Sequence, residues 1–250
     1  MAKIVPVDRE RHAAKGWRRP QGYDFAAADV LAPLGESEFA QAVLAMPIGF
    51  VEKSGHHVPV VLMGLAKGRN VFIGPGSQWL GGYVPAVFRT YPFSLVHREG
   101  SEETILCVDE DSGLIVDEGE ENAEKFFEED GSPSAIINTL TDVLGRIEED
   151  QTKIDLAVAA LAEAGVIKPW PLTATVGNQQ VTVSGLHQID EVALNALDDA
   201  AFIKLRKASS LVIAHGQLLS MGQVGVLSRL SALQRQMEQP AQVLPTAEGI

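Results

Sequence analysis

The chain has 250 residues, 46% of them hydrophobic and 21% charged, so it can bury a substantial core and is not expected to be disordered. Its formal net charge of −13 argues against nucleic-acid binding through a broad basic surface. The single cysteine, Cys107, excludes an intramolecular disulfide and a cysteine-rich zinc site, and its apolar neighbours predict a buried, inert thiol.

The first half of the chain predicts a β-rich structure. Residues 1–38 mix charged and small residues with isolated aromatics, which predicts a segment that wraps the surface. Residues 39–118 form the predicted β-rich part of the core, because short Val- and Ile-rich runs are bounded there by glycine and charged residues. The predicted strands are 43–51, 58–65, 70–73, 93–97, 103–108 and 113–116, with turns at 52–57 and 74–77.

The second half predicts mostly helix. Apolar residues at 3–4 spacing between 134 and 164 indicate one helix of about 30 residues, or two helices separated at the polar residues 148–153. This helix and the acidic stretch before it make up the segment 119–165. The segment 166–238 predicts a β-hairpin that turns at Gly177-Asn178, followed by short helices at 191–197, 199–207, 210–219 and 223–236.

Three details complete the predicted organisation. Asp190, Asp198 and either Ser209 or Ser210 are placed to cap the short helices. Residues 239–250 predict a flexible tail. The fold class is therefore α+β, with a β-rich first half containing one short helix, a helical second half containing one hairpin, and one integrated domain from 39 to 238.

Almost all of the net charge lies in one acidic block, defined as residues 98–130. It holds fourteen Asp and Glu residues against Arg98 and Lys125, whereas the N-terminal residues are basic. The simplest interpretation is a solvated loop and helix start. The alternative is a docking surface for a basic partner, or for the basic N-terminus of a second copy.

The most distinctive stretch is the aromatic block, defined as residues 79–93 (WLGGYVPAVFRTYPF). It holds five of the fifteen aromatic side chains, and Pro85 is suited to begin a short helix that Pro92 ends. An arginine between tyrosines can hold a carboxylate or phosphate with cation–π support, or it can pair with an acid and fix the helix to the sheet. The candidate ligand-binding residues are Gln78, Trp79, Tyr83, Arg89 and Tyr91, together with His215 of a later apolar helix, where the simpler interpretation is a core histidine.

The motifs of common enzyme classes do not occur in the sequence. There is no phosphate-binding glycine motif and no Gly-x-Ser-x-Gly nucleophile elbow, so no catalytic residue is assigned. His97 and Glu99 have a His-x-Glu spacing that could begin an iron site with His187 or His215 as a distal ligand. Because six histidines and 33 acids produce such spacings by chance, we expect no metal and no cofactor.

The sequence resembles the SapC family of bacterial proteins, named for a surface-layer-associated member, over residues 35 to 235. The motifs that carry the resemblance are MPI at 46–48, VPVVLMGL at 58–65, NVF at 70–72, WLGGYVP at 79–85 and RTYPF at 89–93. Looser matches follow at 185–186, 189–191, 194–195 and 214–220. The resemblance implies a role in the biogenesis or presentation of a surface layer, and it supplies no catalytic residue.

Two functions are compatible with these observations. The first is a non-enzymatic accessory protein that binds a protein or peptide partner of the envelope or export machinery, with no nucleic acid. The second is an enzyme or small-ligand protein with a pocket at the aromatic block, metal-dependent in one version. Without a continuous apolar stretch at the N-terminus or a run of eighteen apolar residues, we expect a soluble cytoplasmic protein, with unconventional export and a homodimer left open.

Overall fold

The structure, a computed structural model, describes residues 3–98, 100, 103–176 and 179–238. Within these residues the strands are β1 (Ile4–Pro6), β2 (Lys15–Trp17), β3 (Leu31–Pro33), β4 (Ile48–Lys53), β5 (His56–Leu62), β6 (Phe93–His97), β7 (Thr104–Asp109), β8 (Ile115–Asp117), β9 (Glu124–Lys125), β10 (Ile167–Pro169), β11 (Leu172–Val176), β12 (Gln179–Val183) and β13 (Leu186–Ile189). The helices are α1 (Arg9–His12), α2 (Glu36–Ala45), α3 (Ala86–Arg89), α4 (Ala135–Glu163), α5 (Glu191–Asn195), α6 (Asp199–Lys207), α7 (Ser210–Ser220) and α8 (Val224–Glu238). A strand-rich first half and a helical second half confirm the predicted α+β class.

The largest sheet has five antiparallel strands in the order β10-β13-β4-β5-β3. Its centre is the hairpin of β4 and β5, which pairs Ile48 with Val61 at one end and Lys53 with His56 at the other. Ser54 and Gly55 form the two-residue turn, with φ of 53° and 80°. A two-residue hairpin of this kind requires positive φ at both positions, which glycine adopts without strain. The turn predicted at 52–57 is therefore confirmed.

Helices α2, α4 and α7 pack on one another and against the five-stranded sheet, where the larger apolar core lies. Helix α4 is one continuous helix of 29 residues, not two. It begins at Ser134, whose hydroxyl accepts a hydrogen bond from the Ile137 N–H (3.4 Å), and it is followed by Gly165 at φ 69°. Ile154, Val158 and Leu161 are buried at the helical spacing that the sequence predicted.

Three polar side chains of the C-terminal helices complete hydrogen bonds of the core. At the point where β13 and β4 diverge, Gln217 of α7 accepts from the Ile189 N–H (2.9 Å) and donates to the Ile48 carbonyl (3.0 Å). The hydroxyl of Ser220 accepts from the Ile48 N–H (3.0 Å). On α8, Gln234 donates to the carbonyls of Asn70 and Ile73. Because buried backbone groups must be paired, these contacts fix the helices on the sheet.

The N-terminal segment contributes strands to three sheets and does more than wrap the surface. Strand β1 joins β7 and β6, β2 lies between β8 and β9, and β3 is an edge of the five-stranded sheet. A second apolar cluster forms between this segment and the first turns of α4. Its largest members are Trp17, Phe93 and Phe126.

The basic N-terminal residues form ion pairs with the acidic block of the same chain. These pairs are Lys3–Glu110 (2.5 Å), Lys15–Asp117 (2.6 Å), Arg18–Glu120 (2.7 Å) and Arg19–Glu124 (3.4 Å). Each is a surface pair that contributes little to stability. Their consequence is electrostatic, because part of the acidic block is neutralised within one molecule.

Several sequence predictions of local structure were wrong. Residues 36–45 form α2 instead of leading into a strand at 43, because Glu38 closes a capping box with the Gly35 N–H (2.9 Å) and the residues that follow are good helix formers. Residues 70–73 form a buried loop in which the Asn70 side chain, not a neighbouring strand, bonds the backbone of Ala26 and Phe72. Strand β13 was not predicted.

Most other predicted elements were found. Asp190 and Asp198 cap α5 and α6 as expected, whereas Ser209 makes no capping bond and Ser210 donates to the Ala157 carbonyl. Strands β11 and β12 form the predicted hairpin, but its turn at 177–178 and the tail at 239–250 lie outside the described residues. Cys107 is buried, and burial raises the pKa of its thiol.

One described segment, Ser210–Met237, is long and apolar enough to cross a membrane. Length and composition are weak criteria, since the core helix of a soluble protein also meets them. In this fold the segment comprises α7 and α8, which carry Gln217, Ser220 and Gln234 against the sheet and its neighbouring loop.

The bridging role of Gln217 can be tested with Gln217→Leu. Leucine is similar in volume but leaves the Ile189 N–H and the Ile48 carbonyl without their partner, and each unpaired buried group costs about 1–3 kcal/mol. We expect the free energy of unfolding in urea to fall by about 2–4 kcal/mol. Gln236→Leu on the exposed side of α8 is the control, and an equal loss in both variants would contradict the role of Gln217.

Candidate functional site

The aromatic block forms a corner between the two apolar clusters. The ring of Trp79 stacks on Phe72 with centroids 5.4 Å apart, and its indole N–H donates to the Tyr83 carbonyl (2.6 Å). Phe88 of α3 is buried and contacts the edge of Trp79 at 6.1 Å. Pro85 immediately precedes α3, which confirms the predicted helix start. Much of the block is therefore packed interior.

Glu38 of α2 fixes the corner from 45 residues earlier in the chain. This carboxylate is buried, with 6% of the residue exposed. One oxygen accepts from the Gly35 N–H, and the other accepts from the Ala86 N–H (2.9 Å) and from the Tyr83 hydroxyl. Burial and the hydrogen bond to Glu38 raise the pKa of Tyr83, so its hydroxyl stays protonated at neutral pH.

The Tyr83 hydroxyl, which donates to Glu38, also accepts a hydrogen bond from Arg89. Its Nη2 donates to the Tyr83 hydroxyl (2.6 Å) and to the Val84 carbonyl (3.0 Å), and its Nε donates to the same carbonyl (3.2 Å). The guanidinium carbon lies 5.2 Å from the centre of the Tyr83 ring. Within the described residues Arg89 makes no ion pair, so its Nη1 donors stay available to an anion.

Tyr91 follows α3 and faces the N-terminal segment. Its ring stacks on Phe25 with centroids 4.0 Å apart and an angle of 6° between the planes. Its hydroxyl lies 3.4 Å from a carboxylate oxygen of Asp109, and burial raises the pKa of the phenol. Tyr91 therefore joins the block to both the N-terminal segment and β7.

A cavity of about 510 Å³ opens beside Arg89 and Tyr91. The segment 17–23 forms one wall, α3 and its following residues form the second, and the first turns of α4 form the floor. The lining residues are Trp17, Arg19, Pro20, Gln21, Gly22, Tyr23, Phe88, Arg89, Thr90, Tyr91, Ile136, Thr139, Leu140 and Val143. We call this cavity the Arg89 pocket.

The Arg89 pocket is aromatic, aliphatic and positively charged. Of its described lining residues, Arg19 and Arg89 are the charged ones, and none is Asp or Glu. Arg19 is 68% exposed and its pair with Glu124 is long, so it can exchange this partner for another anion. The volume lies in the range of pockets that bind small molecules or single side chains.

The sequence profile of the SapC family matches residues 7–227 of the chain. The chain belongs to the SapC family. The match extends beyond the region of the motifs noted in the sequence and covers the Arg89 pocket and most of both apolar clusters. Neither the curated proteins nor the solved structures contain a significant match to this SapC-family chain.

The other candidate residues lie apart from the pocket. Gln78 is exposed and does not line it, and His215 is on the exposed side of α7, not in the core. His97 is exposed on β6 and contacts Glu148, whereas His187 lies in the five-stranded sheet. Glu99 lies outside the described residues, and the described part of the chain contains no group of three or more metal-ligand residues placed to hold an ion.

His187 has a different neighbour from the one that its spacing suggested. It pairs with Phe50 on β4, and His57 pairs with Glu52, so the two imidazoles lie diagonally on one face of the sheet. Their ring centroids are 4.8 Å apart, and His57 Nε2 and His187 Nδ1 are buried without hydrogen-bond partners. Burial, and then repulsion from His187, lower the pKa of His57, so the His57 imidazole is neutral at neutral pH.

The Glu38–Tyr83–Arg89 contacts predict the effect of Tyr83→Phe. The change removes a hydroxyl that donates to one charged group and accepts from another, and hydrogen bonds to charged groups contribute about 1.5–3 kcal/mol each. We expect the free energy of unfolding to fall by about 2–3 kcal/mol. Tyr91→Phe, whose hydroxyl makes only the 3.4 Å contact, should cost less in the same urea titration. If the two variants lose equal stability, the buried Glu38 network is not the stabilising contact.

The lowered pKa of His57 predicts a pH dependence of stability. Below the ordinary histidine pKa of about 6.5, the unfolded chain takes a proton that the folded chain resists, so stability falls as pH drops from 7 towards 5. The slope from one such group is at most about 1.4 kcal/mol per pH unit. His57→Asn should flatten this slope in urea titrations at several pH values, whereas His56→Asn, at an exposed histidine, should leave it unchanged. Equal slopes for the wild type and His57→Asn would be evidence against the assignment.

Proposed function

We propose that this SapC-family chain is a non-enzymatic accessory protein that binds a protein or peptide partner in surface-layer or envelope biogenesis. We further propose that the Arg89 pocket receives a segment of that partner in which a carboxylate lies beside an apolar side chain. Family membership is the support for the envelope role that the sequence resemblance implied. A cytoplasmic location is part of the same proposal.

One observation carries the choice of partner chemistry. In a chain with a net charge of −13, the charged side chains that line this pocket are two arginines. Arg89 is held rigidly by Tyr83 and the Val84 carbonyl, so it loses little side-chain entropy when an anion binds. Trp17, Phe88 and Leu140 supply the walls that an apolar side chain needs.

The acidic block is a weaker candidate for a docking surface than its charge alone suggested. Lys15, Arg18 and Arg19 of the same chain already pair with Asp117, Glu120 and Glu124. A basic partner would have to displace these contacts. An acidic partner that binds Arg89, which makes no ion pair with the described residues, does not face this competition.

A small molecule with the same chemistry is the second candidate. The cavity of about 510 Å³ matches the volume of small-ligand pockets, and an aromatic carboxylate would satisfy both its walls and Arg89. This candidate requires no catalytic step.

A peptide selection tests the proposal. Peptides selected from a random displayed library on the folded protein should carry Asp, Glu or a free C-terminus next to Leu or Phe. Arg89→Gln should weaken binding of a selected peptide, measured by fluorescence anisotropy, by about 10- to 100-fold, the range of a hydrogen bond to a charged group. Arg206→Gln removes the same charge at an exposed position on α6 and should leave the affinity unchanged.

A double-mutant cycle identifies the contact. Amidation of the peptide carboxylate should weaken binding to the wild type but have little further effect on Arg89→Gln, because both changes remove one interaction. Additive losses, or a selection that yields basic peptides, would overturn the assignment. If only small aromatic carboxylates bind in an Arg89-dependent way, the second candidate replaces the peptide.

A further inference from the structure

A second and larger cavity lies between α4 and the turn of the β4–β5 hairpin. Its volume is about 910 Å³. It shares no lining residue with the Arg89 pocket. We call it the α4 groove.

The floor of the α4 groove is an exposed apolar stripe. Leu156 is 68% exposed and Ala159 follows it three residues later, so both lie on the same side of α4. Pro33 of the edge strand β3 and Val58 of its neighbour β5 form the opposite wall. An exposed leucine is unremarkable alone, but here it forms part of a concave apolar surface that a ligand could cover.

Three Asp, Glu or Lys side chains line the groove, and one of them, Glu163, pairs with Lys204 (2.9 Å). The other two have opposite charges and make no ion pair with each other. Lys53 lies at the hairpin turn and Asp155 lies on α4, and no ion pair joins either of them to another described residue. One carboxylate oxygen of Asp155 accepts a hydrogen bond from the side-chain amide of Gln151 (3.3 Å). Burial raises the pKa of the Asp155 carboxyl, and the positive charge of Lys53 opposes this shift. The half-buried carboxyl of Asp155 therefore has one described hydrogen bond and no ion pair, and the exposed ammonium of Lys53 makes no ion pair with the described residues.

We propose that the α4 groove binds a zwitterionic molecule with an apolar body, of the class of apolar amino acids and short apolar peptides. Its ammonium group pairs with Asp155 and Gln151, its carboxylate pairs with Lys53, and its side chain covers Leu156 and Ala159. A purely anionic ligand would leave Asp155 unpaired, and a purely cationic one would leave Lys53 unpaired. This site is independent of the partner site at Arg89.

Three related dipeptide probes separate these requirements. Isothermal titration calorimetry with Leu-Leu should show one site, whereas acetyl-Leu-Leu lacks the ammonium group and Leu-Leu amide lacks the carboxylate. Each blocked probe should bind about 10-fold or more weakly, as expected when a hydrogen-bonded charge loses its partner. Free leucine is the fourth probe, and the tighter of leucine and Leu-Leu identifies the length of the molecule.

Variants of the groove locate the binding. Asp155→Asn should weaken Leu-Leu but have little further effect on acetyl-Leu-Leu, which lacks the ammonium group, and Lys53→Gln should remove the advantage of the free carboxylate. Asp142→Asn on the same helix and Lys67→Gln remove the same charges at exposed positions and should bind as the wild type does. Ala159→Trp fills the groove from an exposed position and should abolish binding without a change in the far-UV circular dichroism spectrum.

The outcomes that overturn the proposal are distinct. The proposal is wrong if leucine and Leu-Leu both fail to bind, if the blocked dipeptides bind as tightly as Leu-Leu, or if Ala159→Trp retains full affinity. Retained Leu-Leu binding in Arg89→Gln is expected, since the two sites share no residue.

Discussion

The buried carboxylate of Glu38 is the contact on which the candidate site depends. It caps α2, accepts the N–H that begins α3, and accepts the Tyr83 hydroxyl that positions Arg89. A buried charge is costly unless hydrogen bonds satisfy it, and here three donors do so. The same contact that makes the charge tolerable therefore joins two parts of the chain 45 residues apart and leaves an arginine at the edge of a cavity.

The parts of the fold that the sequence predicted are those with local causes. Ser54 and Gly55 specify a two-residue turn, and the periodic apolar residues of α4 specify one helix face. The wrong predictions fall where a contact comes from a distant part of the chain, or where composition does not mark the end of a helix or strand. The apolar run at 43–51 crosses from α2 into β4, so its composition conceals the change at Met46 and Pro47. The stretch at 70–73 has the composition of a strand, but its backbone is bonded by side chains, namely Asn70 itself and Gln234, which is 161 residues from Ile73.

The residues of the candidate site likewise divide into those that the sequence could indicate and those that it could not. Tyr83, Arg89 and Tyr91 could be selected because they are neighbours in one unusual stretch of sequence. Arg19 could not be, since it reaches the pocket only after β2 inserts between β8 and β9. Glu38 could not be either, because a glutamate near a helix start is ordinarily an exposed capping residue. Asp155 lies in a helix whose polar residues would by default face solvent.

The acidic block and the Arg89 pocket are electrostatically coupled. A net charge of −13 repels an anion at long range, so an anionic partner gains attraction only where positive charge dominates locally. The segment that carries Lys15, Arg18 and Arg19 neutralises Asp117, Glu120 and Glu124 and then continues as the wall of the pocket. Because the Debye length at physiological salt is about 8 Å, charges beyond the pocket rim are screened and the nearby arginines determine the encounter. The ion pairs of the N-terminal segment thus contribute little to stability, yet they reduce the negative charge of the acidic block beside the two arginines of the Arg89 pocket.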